Sequence, residues 1–248
     1  MIGKIEQYLL DQIKKKGTIH FTLVDPDKST NMDCADIAVE AEKGGTTAIM
    51  VGGSTLASQT ILDEAVQSIK SRVRIPVILF PNGPMGISKY ADAVWFMSLL
   101  NSQNPYYFID AQMLSAPIVR QYNLEAIPMG YIIAGEGCVA GYIGHARPIN
   151  FRHSKLAVGY SLAAETLGMR FIYLEAGSGA PEPIPPNVVS AVTTLVNIPV
   201  IVGGGIRTTE AALAAKRAGA SAIVTGTLVE EESQIEERIR DMVVTISD

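Results

Sequence analysis

A single (β/α)8 TIM barrel is the fold this sequence predicts, and three observations predict it. Eight short runs rich in Val, Ile and Ala recur along the 248 residues. Most are continuously apolar rather than alternating, as parallel strands buried on both faces are. Helical segments separate them, and regular strand–helix alternation in eight units closes a parallel sheet into a barrel. Glycine-rich loops follow the last three strands, where barrels commonly hold a phosphate. The competing open, doubly wound sheet more often carries its glycine loop after the first strand.

The elements follow in order. A first helix ends in Lys14-Lys-Lys16, a solvated basic face. Strand 1, Thr18–Val24, runs into Asp25-Pro-Asp27-Lys28, and a helix over Asp33–Lys43 stops at Gly44-Gly45. Strand 2, Thr46–Val51, ends in Gly52-Gly-Ser-Thr55 and leads to a helix over Ser58–Ser71. Strand 3, Val77–Phe80, ends in Pro81-Asn-Gly83, and strand 4, Ala93–Met97, ends in Ser98-Leu-Leu-Asn101. A helix is predicted over Pro117–Tyr122, with proline at its first position, then strand 5 over Ala126–Ile133 and a helix over Leu156–Leu167. Strand 6, Arg170–Leu174, leads into Glu175–Gly179, and a helix over Pro186–Leu195 follows. Strand 7, Pro199–Val202, leads into Gly203–Arg207; Thr208-Thr-Glu210 and Gly219 then bracket a helix over Thr208–Ala218. Strand 8, Ser221–Val224, ends in Gly226-Thr227. The last helix, Glu230–Ile246, puts Ile235, Ile239, Met242 and Ile246 on one face, and its acidic start suits the helix dipole. No repeat, low-complexity tract or linker divides residues 1–248, so one domain is expected.

Bulk composition excludes several classes. A net charge of −5 argues against nucleic-acid binding, which needs a basic face. The longest apolar stretches, such as Ala126 to Ala134, are too short for a membrane span, and the start carries no signal-peptide core. Cys34 and Cys138 lie far apart without metal-ligand spacing, so reduced thiols in a cytoplasmic protein are expected. His20, His145 and His153 have no ligand spacing either, and no zinc site is indicated.

In a barrel the chemistry sits at the C-terminal strand ends. The loops after strands 6 to 8 can offer main-chain N–H groups of Ser178, Gly204, Gly205, Gly226 and Thr227 to one phosphate. Across the rim, Asp25 faces the hydroxyls of Ser54 and Thr55, a set suited to Mg²⁺ completed by water and substrate phosphate; Asp25 reads equally well as a turn residue before Pro26. Glu175 sits inside the cradle and can take a proton from a bound hydroxyl, or it is a buried carboxylate paired with an arginine such as Arg207. Tyr173, two residues earlier, points to the same face. Trp95, Phe96, Tyr106, Tyr107, Phe108 and Tyr131 are core residues or the lining of an apolar groove. A phosphate-binding isomerase or lyase of amino-acid biosynthesis and a non-catalytic phosphate-metabolite sensor would use the same cradle.

Several stretches together resemble one family. They are His20-Phe-Thr-Leu-Val-Asp-Pro-Asp-Lys28, Val51-Gly-Gly-Ser-Thr55, Phe80-Pro-Asn-Gly83, Leu100-Asn-Ser102, Tyr173-Leu-Glu-Ala-Gly-Ser-Gly-Ala180, Val202-Gly-Gly-Gly-Ile-Arg207 and Thr225-Gly-Thr227. Their text and order resemble the geranylgeranylglyceryl phosphate synthases of archaea and the related bacterial heptaprenylglyceryl phosphate synthases. The resemblance implies Mg²⁺-dependent transfer of the geranylgeranyl group from geranylgeranyl diphosphate to the C3 hydroxyl of sn-glycerol 1-phosphate. It implies Mg²⁺ at Asp25 and Ser54, and glycerol phosphate at Tyr173, Leu174, Glu175, Ala176, Gly177, Ser178, Gly179, Gly204, Gly205, Gly226 and Thr227, with Glu175 as the base. A long apolar groove is also implied; Trp95 and Tyr131 are its candidates, Trp95 at the end that limits chain length. Length and the segment Trp95-Phe-Met-Ser-Leu-Leu-Asn101 look most like the larger, homo-oligomeric archaeal group, and transient membrane contact would serve to collect the donor. Ala134-Gly-Glu-Gly-Cys138 departs from the expected pattern.

Overall fold

The computed structural model describes residues 2–28, 33–55, 58–226 and 234–247. Eight strands pair in chain order, all parallel, and the eighth closes on the first. They are β1 (Ile19–Val24), β2 (Ala48–Val51), β3 (Val77–Leu79), β4 (Ala93–Leu99), β5 (Glu125–Ile133), β6 (Phe171–Glu175), β7 (Val200–Gly203) and β8 (Ala222–Thr225). The helices around them are α1 (Lys4–Lys16), α2 (Cys34–Lys43), α3 (Gln59–Arg72), α4 (Ala111–Gln121), α5 (Cys138–Ile143), α6 (Ser154–Thr166), α7 (Pro186–Thr193), α8 (Thr209–Arg217) and α9 (Ile235–Ile246). The starts of α2, α3 and α8 are capped as their sequences foretell: Asp33, Ser58 and Thr208 accept from main-chain N–H groups of Ala35, Ile61 and Ala211.

Strand pleating divides the apolar side chains into two layers. One fills the barrel, where Trp95 packs edge-on against Phe171 and also meets Phe21. The other lies between sheet and helices, and the face of α9 formed by Ile235, Ile239, Met242 and Ile246 is buried in it. His20 also points to a buried polar spot: its ring nitrogens lie 3.0 Å from the Thr46 and Thr225 hydroxyls, and burial pushes its pKa down to about 3. It is a neutral structural histidine tying β1 to β8.

The N-terminal mouth of the barrel is closed by α1. Leu9 enters the interior cluster, and the Tyr8 hydroxyl donates to the Thr47 carbonyl. The Glu125 carboxylate accepts from the main-chain N–H groups of Ile5 and Glu6 at 2.8 Å each, capping the helix from another element. Glu6 itself, 1 % exposed, is held by the Arg170 guanidinium through Nε and Nη2.

Two expectations need correction. The predicted helix at Pro117 begins six residues earlier, at Ala111, after a π-helical turn over Tyr106–Asp110, so Pro117 lies inside α4. Proline there reads as a helix start, yet it is tolerated because it sits on the exposed side, where water can serve the carbonyl its missing N–H leaves unmatched. The unusual segment ending at Cys138 opens a helix, α5, that the sequence did not signal; Gly137 turns into it with φ of 75°. The predicted start of the last helix, Glu230-Glu-Glu232, and Thr227 of the phosphate loop lie outside the described residues.

Candidate active site

The C-terminal mouth gathers most of the predicted residues. β6 runs one residue further than predicted and ends on Glu175, whose carboxylate is 6 % exposed. The Gly177 N–H donates to Oε1 at 2.6 Å, and among the described residues the hydroxyls of Tyr131 and Tyr173 are the other donors beside it. Burial pushes the Glu175 pKa up to about 7, and those hydrogen bonds pull back only part of the rise. Burial, and then the Glu175 charge, hold both tyrosine hydroxyls well above their ordinary range, so they stay protonated and donate. Arg207 does not pair with Glu175; its Nη1 donates to the Ala180 carbonyl, fixing the loop after β6.

Register explains why this constellation forms. Tyr131 of β5 stands opposite Tyr173 of β6, and Glu175 opposite Gly203 of β7. Phe80, Tyr131 and Tyr173 then pack ring against ring, with centroids 5.3 to 5.6 Å apart. Gly203 must lack a side chain, since a Cβ there would come within 2.0 Å of the Tyr173 hydroxyl. Gly204 is doubly constrained: its φ is 79°, and a Cβ would fall 2.4 Å from Glu175 Oε1. Gly226 is different. A Cβ there would meet only ordinary contacts at 3.6 Å, all with Leu23, so no neighbouring atom demands glycine.

Across the rim, Asp25 is 6 % exposed, and Gly53 approaches it so closely that a Cβ would lie 2.3 Å from Oδ1. Ser54 follows directly, and its carbonyl accepts from Asn82 Nδ2 at 3.2 Å. Among the described residues no group of three His, Cys, Asp or Glu could cage a metal. A single buried carboxylate, with Ser54 next to the glycine that packs on it, suits a hard cation that keeps water and phosphate oxygens.

An apolar pocket starts at Gly53, Ser54 and Tyr131, passes Phe80 and Pro81, and runs to Trp95 and α4. Tyr131 therefore belongs to both halves of the site, lining the pocket with its ring and reaching Glu175 with its hydroxyl. The sequence placed Tyr131 only in a groove; its bond to Glu175 depends on the β5–β6 register, which no local pattern encodes. Two residues that the sequence reading named without giving them a role in the site also support it. Asn101, buried at the end of β4, donates to the Ile133 and Arg147 carbonyls at 2.8 Å each and accepts from the Ile133 N–H, finishing β5 in place of another strand. Cys138 packs on Gly177, and burial, with Glu136 and Glu175 nearby, pushes its thiol up, away from the reactive thiolate. No helix among the described residues is long and apolar enough to cross a membrane.

The chain has relatives among known proteins. The PcrB family model matches residues 10–246. The geranylgeranylglyceryl phosphate synthase of Thermofilum pendens is 50% identical over 239 residues, covering 96% of this chain and 93% of its own. The enzyme of that name from Pyrococcus abyssi is 48% identical over 241 residues, covering 97% and 96%. The crystal structure of (S)-3-O-geranylgeranylglyceryl phosphate synthase from Thermoplasma acidophilum, in complex with its substrate sn-glycerol-1-phosphate, superposes with a TM-score of 0.94 at 43% identity over 100% of this chain and 99% of that one.

Proposed function

The chain belongs to the PcrB family, and from that membership and the geometry of its C-terminal mouth we propose how it works as a geranylgeranylglyceryl phosphate synthase. It is a prenyltransferase, joining the geranylgeranyl group of its diphosphate to the C3 hydroxyl of sn-glycerol 1-phosphate. The observation that carries the reading is the meeting of two unlike half-sites at one carboxylate. The glycine cradle lies on one side of Glu175, and the apolar pocket reaches it through Tyr131 on the other. An isomerase or lyase would use the cradle without the pocket.

The acceptor phosphate rests on the N–H groups of the loops after β6, β7 and β8, which aims the C3 hydroxyl at Glu175. Glu175 takes the hydroxyl proton as the new C–O bond forms and the bond from the prenyl carbon to diphosphate breaks. Tyr131 and Tyr173 keep the carboxylate turned toward the acceptor. The apolar pocket holds the chain, at about 0.8 kcal/mol per buried CH₂, and keeps water from the reacting carbon. Asp25 and the Ser54 hydroxyl would hold Mg²⁺, which when bound supplies positive charge against the departing diphosphate. We further read the protein as a cytoplasmic homo-oligomer. Two cysteines, Cys34 and Cys138, far apart in the chain and without metal-ligand spacing, support the compartment, and the exposed apolar side chains of Phe108, Ile109, Met113 and Leu114 support association.

Incubation with sn-glycerol 1-phosphate, Mg²⁺ and prenyl diphosphates of several lengths tests the reading. A prenyl glyceryl phosphate ether of the geranylgeranyl mass, lost with EDTA, is expected; no ether product with any donor would overturn it.

A further inference from the structure

We propose that Lys28 is a phosphate-binding residue of the acceptor subsite, closing the glycine cradle from the opposite wall of the mouth. The inference rests on the acceptor assignment above. Lys28 follows β1, while the cradle begins after β6, with β7 and β8 standing between them in the barrel. Even so, Lys28 Nζ lies 3.3 Å from the Ser178 hydroxyl, 150 residues away. The same nitrogen lies 3.7 Å from Asp25 Oδ2.

The Lys28 N–H donates to the Asp25 carbonyl at 3.1 Å and the Asp27 N–H to Asp25 Oδ1 at 3.2 Å, a closed turn that fixes where the lysine starts. An i,i+3 surface pair with Asp25 would explain one contact but not the reach to Ser178.

Charge gives the reason. Main-chain N–H groups supply dipoles, whereas a bound phosphate dianion brings full charge into a mouth that already holds Asp25 and Glu175. The guanidinium of Arg207, close to the cradle, is engaged by the Ala180 carbonyl. The ammonium group of Lys28 is a point charge that phosphate accepts readily. At 43 % exposure its pairing with Asp25 is weak, so exchanging that partner for a phosphate costs little. The ammonium stands where an acceptor phosphate on the β6 loop and a diphosphate near Asp25 would otherwise repel each other across the rim.

Calorimetric titration of the EDTA-treated protein with sn-glycerol 1-phosphate tests this without turnover. Lys28→Met should weaken binding about tenfold or more, the scale of one charge-assisted hydrogen bond, and flatten the dependence of Kd on salt. Lys28→Arg should stay within about threefold of the parent, and thermal unfolding of each variant checks the fold. Lys28→Gln repeats the charge removal with a polar side chain and should behave as Lys28→Met. Parent-like affinity and salt dependence in both neutral variants would overturn the inference. A parent protein that does not bind the ligand at all would instead overturn the acceptor assignment on which it rests.

Discussion

Each mouth of the barrel buries a glutamate, and the two have opposite surroundings. At the N-terminal mouth Glu6 faces a full positive charge, the guanidinium of Arg170, in a two-point pairing. At the C-terminal mouth, among the described residues, Glu175 faces only neutral donors: Gly177 N–H and two tyrosine hydroxyls. Hydrogen bonds satisfy the oxygens in both places, but only a counter-ion balances the charge. A matched carboxylate is a fastener. A solvated-by-dipoles carboxylate titrates near neutrality, which is what a proton acceptor needs.

The largest effect that would break this contrast is on turnover. Glu175→Gln should lower the rate of diphosphate release by about 10²-fold or more, with thermal stability kept or raised because the replacement carries no charge. A near-normal rate would remove Glu175 as the base. Arg170→Ala should do the reverse. It strands Glu6 and costs about 3 kcal/mol in denaturant unfolding, while turnover at a temperature where the fold holds stays unchanged.

Acidity sharpens the comparison. Folded, Glu175 keeps its proton to about pH 7, whereas the ordinary value is 4.5. Its favourable contribution is complete below about pH 4.5 and is lost as pH rises through about 7, on the order of 3 kcal/mol in all. Activity moves the other way, kcat/KM rising through the same window as the base ionises. Urea midpoints across pH for the parent and for Glu175→Gln check this; a slope that survives in the variant would place the titration elsewhere. The smallest structural effect belongs to Gly226→Ala. With only ordinary contacts around the added methyl, the Tm should not move, yet KM for glycerol phosphate should rise about tenfold if the space is meant for a ligand. Unchanged KM would detach β8 from the cradle.

The barrel could be read from the chain because its signals are local. Runs such as Ile198-Pro-Val-Ile-Val, caps such as Thr208 and stops such as Gly219 act within a few residues of themselves. The cradle was legible for the same reason, since loops that follow strand ends in order must share one rim. Pro117 misled because proline marks a helix start by its own geometry, while its tolerance inside α4 depends on which side of the helix faces water. The bond from Tyr131 to Glu175 was illegible for a different reason. It joins strands whose partners sit 42 residues apart, Tyr131 opposite Tyr173, and pairing register across that distance is set by the closed barrel as a whole.

The closure by α1 has a consequence for the order in which the molecule assembles. Glu125 and Arg170, which receive the first turn of α1, lie 119 and 164 residues downstream of Glu6. The helix made first has no seat until β5 and β6 stand side by side. Contacts of such sequence separation come late, after the entropy of closing the intervening chain has been met. By that order Glu6 stays hydrated until Glu125 and Arg170 are in place to receive it.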